Sequence, residues 1–523
     1  MKWLFSVVKE CFWLQGILCL GLLFVLYILA LFGHGFVDPD AFYHAKISLL
    51  LWQHGPIHSF PWLDLSLVGQ HFADLHFLFH VLMAPFVSTF GMMQGLRYGM
   101  LFLMGSLAIV FAGCLRWLHI RYSWFWVFVC LSSAPLLIRL SLGKASALAL
   151  LWFVIGITAS LKQRPWVLAF SVFGFSLSHG GWMILVGSAG ILSVSRFFFE
   201  GQLQEKKLLL RVRFLSEIRL IFASFLGAAL GIFVHPNFPE NIQFTWVQLV
   251  TIGLKTPMDR VVLGKEWYPP PMSGVISGLA PLLLLSLLLL VGFIFARKSQ
   301  IHREQAIQTL QLGSLFAFFF ALSLSSIRSI EYAIPVFILF FCSALQFIDL
   351  KKMFFEQRIL SILAVVFCFF VQIFHNTEAI SSLRTMSFSD TQYQVAVLAM
   401  RQAGGKNGDR IFHTMFGRFP LLFAQDDGFR YVTGLDPTFL LITNPALSDR
   451  IDASLRFPSK TTIHDWNWMI STTHSRFVFI PKIGKYSSIF QLLDAEKNRY
   501  SPIFEDEKCK VYQVTKWDYV EPK

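Results

Sequence analysis

Leu18-Cys19-Leu20-Gly21-Leu22-Leu23-Phe24-Val25-Leu26-Tyr27-Ile28-Leu29-Ala30-Leu31-Phe32 contains no charged residue and offers no polar face at any helical or strand period. A segment of that kind has nothing to turn towards water, so lipid must surround it. Residues 281–295 and 359–374 are runs of the same type. Across 523 residues, 55% are hydrophobic and only 14% charged, against about a quarter charged in soluble domains. The mean hydropathy is +0.59. The chain is therefore expected to be an α-helical polytopic membrane protein.

The formal charge of +13 does not point to nucleic acid, because the basic residues lie between the apolar runs. Residues 196–219, 297–303 and 351–358 are such loops, and their charge marks them as cytoplasmic. Lys2 and Lys9 place the N-terminus on that side too, ahead of an uncleaved first span. Counting outward from these anchors gives about 11 spans of roughly 20 residues. Residues 73–90 are left as a surface or re-entrant helix on the outer face, broken near Pro85. The expected domains are a membrane unit, 1–375, with outer loops 34–97 and 235–273, and a C-terminal α/β unit, 376–523, outside the cytoplasm. In that unit the turn pairs Gly404-Gly405 and Asn407-Gly408 appear, and residues 476–481 read as a buried strand. The seven cysteines show no metal spacing and call for no disulfide.

Polar residues near the outer ends of the spans are the candidates for chemistry. Asp38-Pro39-Asp40 follows the first span, and two carboxylates so spaced can share a hard divalent cation, Mg or Mn. His44 follows in the same loop. Asp74, His76 and His80 lie in the next apolar stretch and could join such a cation or hold an acceptor. Arg328 stands at the end of a hydrophobic segment, where a guanidinium is costly unless it has a task, and its fork suits phosphate oxygens. Glu331, one turn on, is expected to pair with it. Arg139 carries the same argument, and Lys144 adds a second positive charge to its loop. Glu266, beside Trp267 and Tyr268, combines a carboxylate with aromatic faces on which sugar rings stack.

Asp38-Pro39-Asp40-Ala41-Phe42-Tyr43-His44-Ala45-Lys46 resembles the first outer-loop motif of the oligosaccharyltransferase catalytic subunits, membrane glycosyltransferases of the GT-C class that use lipid-linked sugar donors. Leu137-Ile138-Arg139-Leu140-Ser141-Leu142-Gly143 stands where that family has its second outer-loop motif. Ser326-Ile327-Arg328-Ser329-Ile330-Glu331-Tyr332-Ala333-Ile334-Pro335 is similar to its arginine element, whose Arg binds the lipid diphosphate. The resemblance covers about 375 residues through these motifs and the order of segments. It implies a GT-C-like fold. It also implies a catalytic pair in Asp38 and Asp40, an acceptor-orienting Glu266, and a lipid-phosphate site at Arg328, Arg139 and Lys144. Two departures stand out. Gly143-Lys144-Ala145-Ser146 carries no acid where the family has a metal-binding one. The family's Trp-Trp-Asp motif, which reads the acceptor, is missing, and its nearest counterpart is residues 413–419.

The expected function is transfer of a sugar or glycan from a polyprenyl-phosphate or polyprenyl-diphosphate donor, at the outer face of a bacterial inner membrane, to an acceptor the sequence leaves open. A divalent cation is compatible with the residues and not required by them. The alternatives are a transporter or flippase of an envelope precursor and a non-catalytic envelope-assembly scaffold. All of this needs the acidic pair and the guanidinium of Arg328 to face one cavity.

Overall fold

The structure is a computed structural model describing residues 12–201, 207–252, 264, 266, 268–271, 284–287, 289–291, 293–294, 302–349, 358–413 and 415–517. The helices that position the site are α1 (Phe12–Leu31), α2 (Asp40–His54), α3 (Phe77–Phe90), α4 (Met92–Trp117), α5 (Ser123–Leu131), α6 (Ala134–Leu140) and α7 (Ser146–Leu161). They continue with α8 (Pro165–Ser178), α9 (Met183–Gly201), α10 (Lys207–Val234), α11 (Glu240–Trp246), α12 (Arg303–Ser325), α13 (Ile330–Leu345) and α14 (Arg358–Thr385).

The featureless apolar run becomes α1, and its burial is one-sided. Gly16, Leu23, Tyr27, Ala30 and Leu31 face the bundle, spaced as one stripe of a helix. Trp13, Ile17, Leu22, Val25 and Ile28 remain exposed. An exposed stripe of that composition is stable only against hydrocarbon, where the helix satisfies its own backbone. The Tyr27 hydroxyl, buried on the other stripe, donates to the Leu131 carbonyl at 2.9 Å.

Among the described residues six helices are long and apolar enough to cross a membrane, or up to seven if the bent pair α5–α6 counts as one. The protein is thus a multi-pass membrane protein. Three further apolar helices, α3, α7 and α8, are shorter. One of the roughly 11 counted spans, 274–296, which contains the apolar run 281–295, lies mostly outside the described residues. Two details differ from the sequence reading. The helix expected to break near Pro85 is one continuous helix, α3, with Pro85 inside it. Another of the counted spans, 122–138, is instead two helices, α5 and α6, bent by 72°. At the bend the Ser132 and Ser133 hydroxyls donate back to the Phe128 and Cys130 carbonyls, at 2.6 and 2.7 Å. Pro135 starts the next helix, where its missing N–H does no harm. Arg139 lies in α6, just past the bend.

After α14 the chain builds a five-stranded sheet from β1 (Arg410–His413), β2 (Arg430–Tyr431), β3 (Phe477–Pro481), β4 (Tyr500–Glu505) and β5 (Cys509–Val514). The order is β2-β1-β3-β5-β4. Strands β1, β2 and β3 run parallel, and β3–β5 and β4–β5 are antiparallel. All of β3 is buried, as a strand covered on both faces must be. Its alternation divides two cores. Phe477, Phe479 and Ile411 join the core shared with the helices, while Val478, Ile480 and Phe412 pack with Trp466 and Tyr512 in a core of their own.

The sheet unit is fastened to the bundle by charge and close approach. Arg97 is buried and donates to the Leu31 and His34 carbonyls and to both oxygens of Asp390, at 2.7 to 2.9 Å. Asp64 accepts from Arg410 at 2.7 Å and Arg430 at 2.9 Å. The Phe388 N–H donates to Phe36 O at 2.9 Å. A Cβ on Gly35 would lie 1.5 Å from the Phe388 carbonyl, so only glycine allows this contact. Replacing Arg97 by Met should cost on the order of 3 kcal/mol, because two carbonyls and a carboxylate lose a charged donor together. Thermal unfolding of the detergent-solubilised protein measures it.

His413, fully buried at the end of β1, pairs through Nδ1 with the Met415 carbonyl at 3.0 Å. Burial pushes its imidazole down to about 4. An unfolded chain protonates this residue near pH 6.5, whereas the folded one holds the proton off until about 4. Stability is therefore full at neutral pH and is lost as pH falls across that window, by about 3 kcal/mol. Denaturation at pH 7 and pH 4.5 should show a smaller difference for His413→Phe than for the wild type.

Candidate active site

The Asp38-Pro39-Asp40 turn is fixed locally before any partner arrives. Pro39 has φ −62°, already that of a first helical residue. Asp38 Oδ1 accepts the Asp40 N–H at 2.9 Å, so the carboxylate closes its own turn. Asp40 then opens α2, where a negative side chain complements the helix N-terminus.

Lys144 meets this turn from the loop between α6 and α7. Gly143 precedes it at φ +73°, and a Cβ there would lie 2.8 Å from Ala41 Cβ and 2.9 Å from the Phe36 ring. The backbone conformation and the closeness of α2 both demand glycine. The Lys144 ammonium stands 2.7 Å from Asp38 Oδ2, 2.9 Å from Asp40 Oδ2 and 3.7 Å from Glu266 Oε1.

Glu266 ties the remaining cations in. Its Oε2 accepts from Arg139 Nη1 at 2.8 Å, and its Oε1 pairs with Arg328. Its own carbonyl accepts from the Ser326 hydroxyl at 2.9 Å. Glu331 takes Arg139 Nε at 3.2 Å and Nη2 at 3.1 Å, so its partner is Arg139 rather than the expected Arg328. Residues from four separate segments thus form one charged cluster, with the acidic pair and Arg328 joined through Lys144 and Glu266. Trp267, expected beside Glu266 as a stacking face, lies outside the described residues.

The surroundings keep these groups charged. Burial works against the Lys144 ammonium, yet Asp38, Asp40 and Glu266 hold it well above the usual lysine range. Burial likewise opposes the Glu266 carboxylate, but Lys144, Arg328 and Arg139 hold it far below the usual range. Asp38 differs: burial raises its carboxyl, and Lys144 only partly offsets this. Asp40 has the more accessible side chain, 35% exposed against 18% for Asp38.

The histidines expected to complete a metal site form a second cluster instead. His80 Nδ1 meets Asp74 Oδ2 at 2.7 Å, and His80 Nε2 meets His44 Nδ1 at 2.8 Å. The ring of His76 packs on His44, 5.0 Å between centroids, and on His179 at 5.4 Å. Burial holds His44 and His76 well below the usual imidazole range. Burial opposes ionisation of Asp74 as well, but His80 outweighs it and the carboxyl lies below its ordinary value. The chain of hydrogen bonds pins α2 to α3. The set Asp38, Asp40, His44, Asp74, His76 and His80 is therefore divided. Among the described residues no group of three or more His, Cys, Asp or Glu side chains is placed to hold a metal ion. The oxygens of Asp38 and Asp40 would suit Mg or Mn by chemistry, but an ammonium already fills the space between them. A divalent cation does not fit these residues as arranged.

The sequence reading missed two neighbours of the cluster. Asp436, from the sheet unit, lies within electrostatic reach of Arg328 and Asp40. Its Oδ1 accepts from the Thr438 N–H at 2.9 Å and from the Thr438 hydroxyl, and Leu435 before it has φ +60°. His179, pushed down to about 4 by burial, faces Glu331 and the two arginines. Asp436 sits in the stretch 431–439, whose turn residues read as a structural loop or docking surface and not as a charge partner, and nothing local marks His179.

The sequence matches no protein-family model and no curated protein. Solved structures do match. The oligosaccharyltransferase AglB of Archaeoglobus fulgidus, in complex with an inhibitory peptide and a dolichol-phosphate, aligns with a TM-score of 0.59 at 11% identity over 97% of this chain and 75% of its own. ArnT of Cupriavidus metallidurans, bound to undecaprenyl phosphate, gives 0.57 at 12% identity, covering 95% of this chain and 97% of its own. The arabinofuranosyltransferase AftD from Mycobacteria gives 0.52 at 11% identity over 95% of this chain and 40% of its own. This chain has the fold of the GT-C membrane glycosyltransferases. The likeness extends to the oligosaccharyltransferase that its loop motifs resemble.

Proposed function

We propose that the protein is a membrane glycosyltransferase that moves a sugar or glycan from a polyprenyl-linked donor to an acceptor at the extracytoplasmic face. One observation carries the reading: Asp38, Asp40, Lys144, Glu266 and Arg328 converge in one charged cluster. A lipid donor explains why such a cluster belongs beside membrane helices, since the polyprenyl tail stays in hydrocarbon while the head group reaches the loops. That AglB and ArnT were solved with dolichol-phosphate and undecaprenyl phosphate supports a donor of this chemistry.

In this reading Arg328 and Lys144 hold the donor phosphate. Asp40 takes the proton of the acceptor hydroxyl as the acceptor oxygen bonds to the anomeric carbon. The anomeric carbon–phosphate oxygen bond breaks, and its electron pair leaves on the phosphate. Glu266 orients the acceptor and spaces the cations. Arg139, with three of its donors committed to two carboxylates, acts as a strut rather than a phosphate ligand. The membrane unit, 1–375, carries the reaction, and the unit from 376 onward roofs it. The N-terminus is cytoplasmic and the sheet unit lies outside, in a bacterial inner membrane. Purified protein given a polyprenyl-phosphate sugar and envelope acceptors should release polyprenyl phosphate with formation of a glycosylated product. Flux of intact donor across vesicles without cleavage would instead identify a flippase, and neither activity a scaffold.

A further inference from the structure

We propose that Lys144 is the resident cation of this site, doing by a fixed ammonium what an acidic pair of this spacing would otherwise do through a bound divalent ion. The inference rests on the glycosyltransferase reading for its purpose but on geometry for its content. Asp38 and Asp40 come from one loop and Glu266 from another, and Lys144 Nζ lies among all three at 2.7, 2.9 and 3.7 Å. The lysine side chain is 14% exposed, and it cannot swing away easily. Gly143 puts the backbone of its loop within van der Waals contact of Ala41 and Phe36. An ammonium offers three donors and no acceptor, so it meets several carboxylates at once without needing the near-ideal octahedron that Mg requires.

Two consequences follow for chemistry. The positive charge that meets the donor phosphate is covalently part of the chain, so chelators should leave it in place. The same ammonium pairs with Asp40 and attracts the phosphate, so one fixed charge serves the base and the donor together.

The experiment uses full-length, detergent-solubilised protein and Mn2+ alone, with free Mn2+ read by electron paramagnetic resonance. No sugar donor is present, so the outcome is independent of whether the protein transfers sugars. The wild type should take up no Mn2+ that depends on Asp40. Lys144→Ala removes the ammonium and should bind Mn2+ at least about tenfold more tightly than the wild type, with the gain lost in Lys144→Ala combined with Asp40→Asn. Lys144→Met, which keeps most of the side-chain volume, serves if the alanine variant does not fold. The proposal is overturned if the wild type binds one Mn2+ per chain that Asp40→Asn removes, or if folded Lys144→Ala and Lys144→Met bind Mn2+ no better than the wild type.

Discussion

Asp40→Asn is expected to lower sugar transfer by about 10²- to 10⁴-fold while leaving the protein folded and inserted. The change keeps the shape of the side chain and its place at the start of α2, but removes the lone pair that accepts the acceptor's proton. Asp38 gives the contrast. Its Oδ1 is committed to the Asp40 N–H and its Oδ2 to Lys144, so Asp38→Asn should disturb the turn and the seat of Lys144. Transfer should fall with it, together with a loss of thermal stability that Asp40→Asn does not show. Rates measured with saturating donor, beside thermal unfolding of each variant, separate the two roles. If Asp40→Asn transfers at the wild-type rate, Asp40 is not the base.

The second large effect separates two arginines that look alike in the sequence. Arg328 has a side chain 41% exposed, whereas that of Arg139 is only 10% exposed. Arg328→Met should weaken donor binding by about tenfold to 150-fold, the worth of one or two hydrogen bonds to a charged group, with little change in stability. Arg139→Met would leave Glu331, 6% exposed, as a buried charge without a partner, and should cost about 3–5 kcal/mol of stability. Binding of a fluorescent polyprenyl-phosphate analogue and thermal unfolding distinguish them. Equal effects of both substitutions on both measurements would mean that the strut and the ligand are not distinct.

The cluster was legible because its members break local rules. Carboxylates beside a span, a lysine in an apolar loop and an arginine at the end of a hydrophobic helix each carry a cost that only a task repays. What the sequence could not state is who meets whom. Arg139 and Glu331 stand 192 residues apart, and their pairing depends on the bend between α5 and α6, which Ser132, Ser133 and Pro135 create only once α5 is packed. The expected metal set failed for a related reason. His76 and His80 have helical spacing, and both rings pack on His44, at 5.0 Å between centroids, so the histidines gather with Asp74 rather than with Asp38 and Asp40. Pro85 reads as a breaker, yet α3 runs through it, packed against α2 and α4. Asp436 is reached only when the sheet unit is seated, through ion pairs to Arg97 of α4 and to Asp64, each spanning more than 290 residues.

The central claim is that Asp40, Lys144 and Arg328 serve one head group. It is tested most directly by an experimental structure of the full-length protein with a polyprenyl phosphate bound. Phosphate oxygens are expected within about 3 Å of both Lys144 Nζ and the Arg328 guanidinium, with Asp40 beside the phosphate and no metal ion between them. A phosphate bound elsewhere on the protein, or at this site through a divalent cation held by Asp38 and Asp40 with Lys144 displaced, would contradict it.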